Sequence, residues 1–211
     1  MPAVSHNQFL TNRCATPQRT LSIIGRVPIQ SDLVGTHLEL PIREYADMLQ
    51  IGSRSMQNFP LLKEVGQSDM PVLIKRGWSA TLEEWLCAAE YVAEGGNRNI
   101  VLCERGIRAS CHWDYARNIL DLNVIEPLRR ATPLPVIVDP SHATGQWSLV
   151  EAMSRAALAT GAHGLLVEVL EGDRAELRCD ADQGIPLDVL ERIALQAREM
   201  EVVGVAAPVL V

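Results

Sequence analysis

The chain has 211 residues, 47% of them apolar, which is material for one sizeable domain with its own core and excludes a disordered chain. Nineteen Lys and Arg stand against 26 Asp and Glu, a formal charge of −7 with no long basic run, so nucleic acid and anionic membrane surfaces are poor partners. No stretch approaches the roughly 20 apolar residues of a membrane helix, and the first 20 residues lack a signal-peptide pattern, so a cytoplasmic protein is expected. The five cysteines (Cys14, Cys87, Cys103, Cys111 and Cys179) form no C-x-x-C pair, which suits free thiols in a reducing compartment.

The first 26 residues are polar and irregular. From residue 27 onward short apolar runs recur: Val27–Asp32, Met48–Gly52, Val72–Lys75, Ile100–Cys103, Pro135–Asp139 and Gly164–Val169. They are apolar at successive positions, the pattern of parallel strands buried on both faces. Amphipathic segments separate them. Thr81 and Glu84 form a capping box ahead of Leu82, Trp85, Leu86, Ala89 and Val92 on one helical face. Ser148 and Glu151 repeat that spacing before Val150, Met153, Ala157 and Leu158, and Pro186 opens a last helix that runs to about Met200. Strict β-α alternation predicts an α/β fold with right-handed crossovers, of which a parallel (β/α) barrel is one form. Three parts follow: a divergent segment 1–26, a partial barrel 27–201 and an apolar tail 202–211.

In such a barrel the residues at the C-terminal ends of the strands share one mouth. Here those ends read Ser31-Asp32, Gly52-Ser53-Arg54, Lys75-Arg76-Gly77, Glu104-Arg105-Gly106, Asp139-Pro140-Ser141-His142 and Glu168. Arg54, Lys75 and Arg105 from adjacent strands make a convergent anion site, because guanidinium groups grip phosphate or carboxylate with paired hydrogen bonds and Lys adds a point charge. His142, Glu168 and a carboxylate from Cys179-Asp180-Ala181-Asp182 make a nitrogen and oxygen set suited to a divalent metal. Cys103 ends an apolar strand and reads as core. Trp113 and Trp147 lie in loops at the same end.

These motifs resemble the 3-deoxy-7-phosphoheptulonate (DAHP) synthases, of the short bacterial type related to 3-deoxy-octulosonate 8-phosphate synthase. The match runs through Glu44–Asn58, Pro71–Gly77, Trp85–Tyr91, Leu102–Arg108, Pro135–Gly145 and Gly164–Val169 in order. The resemblance implies a TIM-type (β/α) barrel of eight units that condenses phosphoenolpyruvate with erythrose 4-phosphate or a related aldose phosphate, releasing phosphate, at the first step of the shikimate pathway to aromatic amino acids. It implies that Arg54, Lys75 and Arg105 bind phosphoenolpyruvate and that Lys75, Arg105 and His142 are catalytic. It further implies that His142, Glu168 and Asp180 hold a divalent metal, manganese first. Asp180 is preferred to Asp182 because Gln183 follows it by three.

The resemblance begins at the family's third strand, so the first two β-α units are expected to be absent, and six strands cannot close an eight-stranded barrel. With those units go the Gly-Pro-Cys-Ser turn, which carries the fourth metal ligand, and the Lys-Pro-Arg-Thr turn that binds the acceptor. Pro17-Gln18-Arg19-Thr20 and Cys14 echo them faintly. An open parallel sheet needs cover, from the terminal segments, from a second copy in a homo-oligomer, or from association with a full-length synthase. The alternative function is a catalytically impaired paralogue that binds phosphoenolpyruvate-like anions or regulates a full-length synthase.

Overall fold

The computed structural model describes residues 6–11, 30–32, 46–109, 114–170 and 182–202, with the backbone alone at 6–11, 30–32 and 201–202. In chain order the elements are β1 (His6–Thr11), β2 (Gln30–Asp32), β3 (Met48–Ile51), α1 (Phe59–Gly66), β4 (Val72–Lys75), α2 (Leu82–Glu94) and β5 (Ile100–Glu104). Then follow α3 (Ile125–Ala131), β6 (Val136–Val138), α4 (Pro140–Thr144), α5 (Trp147–Ala159), β7 (Gly164–Val169) and α6 (Leu187–Val202). One sheet holds all seven strands in the order β1-β7-β6-β5-β4-β3-β2. From β2 to β7 every pairing is parallel.

Each of the six expected strands is present. The segment 1–26 differs from expectation: His6–Thr11 pairs antiparallel with β7, His6 opposite Val169 and Thr11 opposite Gly164. This pairing occupies the β7 edge, one of the two the open sheet would otherwise expose. Among the described residues β1 and β2 stand at opposite ends of the sheet and do not pair with each other.

Period-two alternation assigns the two faces. Leu49, Ile51, Val72, Ile74, Ile100, Leu102, Val136, Val138, Leu165 and Val167 pack with the helices in the main core. Leu73, Val101, Cys103, Ile137 and Leu166 make a second, separate buried cluster on the other face. Cys103 is thus core, as expected, and burial pushes its thiol pKa well up, with the Asp139 carboxylate adding to the effect.

Local signals set the helices. Asn58 Oδ1 accepts from Leu61 N at 3.3 Å to start α1. The Thr81 and Glu84 box is complete, with Thr81 N donating to Glu84 Oε2 (2.8 Å) and Glu84 N to Thr81 Oγ1 (3.2 Å). The expected box at Ser148 is not formed: α5 already starts at Trp147, and its N-cap Gln146 makes no side-chain cap bond. Instead, Trp147 N donates to Asp182 O at 2.7 Å, so tertiary contact does the capping. The ends of α1 and α2 cross at two glycines. A Cβ on Gly95 would lie 2.6 Å from Gly66 C, so glycine is needed for the approach.

Candidate active site

The expected site residues lie at the C-terminal edge of the parallel strands, where the inner-face positions run on to the rim. Leu73 leads to Lys75, Val101 and Cys103 to Arg105, Ile137 to Asp139, and Leu166 to Glu168, each two residues apart along a strand and its exit. Lys75, Arg105, Asp139 and Glu168 are all buried.

Asp139 is the centre. It is wholly buried and caps α4, its Oδ1 accepting from His142 N at 2.9 Å. Its Oδ2 takes Lys75 Nζ at 2.9 Å and lies 2.8 Å from His142 Nδ1. The other ring nitrogen, Nε2, lies 3.3 Å from Glu168 Oε1. Ser141 Oγ accepts from Glu168 N at 3.0 Å and fixes the height of α4 against β7. Burial alone would push the Asp139 carboxyl up, but His142 and Lys75 outweigh it and hold it well below the carboxylate range. Burial likewise pulls on the Lys75 ammonium, and the facing Asp139 overcomes it, so Lys75 is raised above the ordinary lysine value and stays charged.

Arg105 donates from Nη2 to His142 O at 3.3 Å, and Asn118 Nδ2 donates to the same carbonyl at 3.1 Å. Its Nη1 is buried with no hydrogen-bond partner. Burial lowers the Arg105 pKa, the mark of a guanidinium short of internal anions. Arg54 stands on the turn Ser53–Ser55 directly after β3, exposed at the same edge. The structure therefore brings together Lys75, Arg105, His142 and Glu168, and leaves Arg54 on the rim beside them.

His142 Nε2 and Glu168 Oε1 are adjacent, and the far ring nitrogen lies 2.8 Å from the Asp139 carboxylate, a charge contact that is not aligned as a hydrogen bond. These two residues fit a divalent metal. Among the described residues no third His, Cys, Asp or Glu completes a cluster. Asp180, Cys14, Cys111, Trp113, Cys179, the Pro17–Thr20 segment and the tail beyond Val202 lie outside the described residues. Asp182 is exposed, while Gln183 is fully buried and accepts from Arg117 Nη1 at 3.0 Å.

Three contributors carry no role in the sequence reading. Asp139 was legible as part of the Asp-Pro-Ser-His run, and its position as N-cap before a proline signals the one-turn helix that presents His142. Gln50 sits on the inner parity of β3, buried with an unpartnered Oε1; a polar residue inside a strand was the available signal. Asn118 reaches the site across sequence distance and had none.

A parallel α/β sheet with buried cations and a histidine–carboxylate pair at its C-terminal edge defines an α/β scaffold of the TIM type. The sequence matches the DAHP synthetase I family over residues 8–205, and the chain belongs to that family. It is 43% identical over 163 residues to the phospho-2-dehydro-3-deoxyheptonate aldolase of Thermotoga maritima, covering 77% of this chain and 47% of that protein. It is 27% identical over 188 residues to the 2-dehydro-3-deoxyphosphooctonate aldolase of Geobacter sulfurreducens, covering 84% of this chain and 67% of that one. The solved truncated form of 3-deoxy-D-arabino-heptulosonate 7-phosphate synthase from Thermotoga maritima superposes with a TM-score of 0.81 at 38% identity, over 87% of this chain and 69% of that one. The chain thus spans about half the length of the Thermotoga relative it matches. Among the described residues no helix is long and apolar enough to cross a membrane.

Proposed function

We propose that the protein is a DAHP synthase-type enzyme, condensing phosphoenolpyruvate with erythrose 4-phosphate or a related aldose phosphate and releasing phosphate, at the entry to the cytoplasmic shikimate pathway. The observation that carries the reading is the buried set Lys75, Arg105, Asp139 and Glu168 around half-buried His142 at one strand edge, with one guanidinium nitrogen left unpaired. In this reading C3 of phosphoenolpyruvate joins the aldehyde carbon while water adds at C2. The leaving phosphate's charge has to be met by fixed cations.

Lys75 supplies a charge kept protonated by Asp139, and Arg105 supplies the free Nη1 donor. Arg54 adds a third cation from the rim. His142 and Glu168, with Asp180 as the third ligand, would hold a divalent metal, manganese first. When bound, such a metal polarises the acceptor's carbonyl as a Lewis acid. The protein's own contribution is to hold His142 with its Nε2 toward Glu168 and to keep the cations desolvated, where they act more strongly than in water.

The test is phosphoenolpyruvate consumption by the purified chain with Mn²⁺, with and without erythrose 4-phosphate, the product checked by mass for seven carbons. Product formation is the expected outcome. A second reading is a binding or regulatory subunit that takes phosphoenolpyruvate-like anions and assembles with itself or with a full-length synthase. Arg54-dependent phosphoenolpyruvate binding without turnover, and co-purification with a complete synthase, would select it.

A further inference from the structure

We propose that Asp139 is a positioning residue that ties the anion half of the site to the metal half through one carboxylate oxygen. The inference rests on the reading above, in which Lys75 serves the anion and His142 the metal. Asp139 Oδ2 meets both, Lys75 Nζ at 2.9 Å and His142 Nδ1 at 2.8 Å. Its Oδ1 is already used by His142 N at 2.9 Å. The side chain is fully buried, so no water shell can take over either partner.

Two consequences follow from this sharing. The 2.8 Å approach of Oδ2 to Nδ1, close but not aligned as a hydrogen bond, sets the carboxylate against that side of the ring and leaves Nε2, the nitrogen 3.3 Å from Glu168 Oε1, as the ligating one. The same oxygen faces both an ammonium and an imidazole, so a change at Lys75 is felt at His142. Binding at the two halves is then linked through Asp139.

The experiment measures Mn²⁺ affinity of the full chain by the EPR signal of the free ion, and phosphoenolpyruvate affinity by calorimetry, in the wild type and in His142→Ala, Lys75→Met, Asp139→Asn and Lys75→Met/Asp139→Asn. Asn keeps the size of the side chain and an oxygen for the α4 cap. His142→Ala is expected to abolish specific Mn²⁺ binding and Lys75→Met to weaken phosphoenolpyruvate binding, which checks the underlying reading separately. Asp139→Asn is expected to weaken Mn²⁺ binding by about 10–100-fold. Lys75→Met is expected to change Mn²⁺ affinity in the wild-type background and to do so by at least about twofold less beside Asp139→Asn.

If the two reference variants behave as stated but Asp139→Asn leaves Mn²⁺ affinity intact, the positioning role is overturned and the functional reading stands. Mn²⁺ binding that survives His142→Ala overturns both. If Asp139→Asn does not fold, nitrogen-15 NMR of the wild-type Zn²⁺ complex decides: a proton on His142 Nδ1 with metal on Nε2 supports the role, and ligation through Nδ1 overturns it.

Discussion

Two buried ion clusters lie one residue apart along β4 and β5, and they differ in what they leave undone. On the helix-facing side, Arg76 Nη1 donates to Glu104 Oε2 (3.0 Å) and to Asp121 Oδ2 (2.9 Å), and its Nε to Ala80 O (3.0 Å). Glu104 Oε1 accepts from Gly106 N (2.7 Å) and Asp121 N (3.4 Å), and the Arg76 guanidinium lies 5.9 Å from the Trp85 ring centre. On the inner side, the next residues in each strand, Lys75 and Arg105, face a site in which Arg105 Nη1 has no partner. The first cluster is closed on itself and holds the strand exits to the helices. The second keeps an unused donor. Neighbouring charges in the sequence thus enter a closed network and an unfinished one in alternation, because the strand sends them to opposite faces.

The comparison breaks or holds on paired substitutions. Arg76→Met leaves Glu104, buried and already raised above the ordinary glutamate value by burial, without its cation. The expected loss is about 3–5 kcal/mol in urea unfolding. Arg105→Met removes a desolvated guanidinium that has no carboxylate of its own, so melting temperature should hold or rise. Phosphoenolpyruvate affinity should fall by about tenfold or more, the worth of a charged hydrogen bond. A reversed pattern, with Arg105 carrying stability and Arg76 carrying affinity, would show the faces to be wrongly assigned.

At the opposite end of the strands Asn97 is neutral and satisfied. Asn97 Nδ2 donates to Val65 O (3.1 Å) and Met70 O (2.8 Å), and its Oδ1 accepts from Asn99 N (3.0 Å). Asn97→Ala strands two carbonyls and should cost about 1–3 kcal/mol of stability, with ligand affinity unchanged. Thr81→Ala opens the α2 cap and should cost about 1 kcal/mol, again visible only in the unfolding curve.

How far the sequence carried depended on whether the signal was local. The six parallel strands, the Thr81 box and the cluster of Lys75, Arg105, His142 and Glu168 were all legible, because apolar runs, cap spacing and strand-end positions are written in consecutive residues. Strand β1 was not: His6–Thr11 has no apolar run, and its place depends on the edge that β7 offers at the far end of the chain. The start of α5 was misplaced for a similar reason, since Asp182 O caps it from a distant loop. Within Lys75-Arg76 and Glu104-Arg105, Lys75 and Arg105 share the parity of Leu73, Val101 and Cys103, which the structure puts on the inner face. The triple use of Asp139 is a tertiary fact, and only its role as N-cap has a local signature.

The smallest effect comes from a group that is neutral by design of its surroundings. His163 lies between α5 and β7 at the N-terminal edge of the sheet, its Nδ1 accepting from Val136 N at 3.0 Å and its own backbone N donating to Val136 O at 2.7 Å. An accepting Nδ1 carries no proton. Burial, and next the charge of Arg129, lower the His163 pKa below the usual histidine value. The unfolded chain therefore takes up its proton first as pH falls, so His163 supports the fold above about pH 6.5 and that support drains away below it. Unfolding curves at stepped pH should show wild-type stability declining below this point, with a shallower decline in His163→Gln, which retains an acceptor but does not titrate. An identical slope in both proteins would mean that His163 does not carry the pH response.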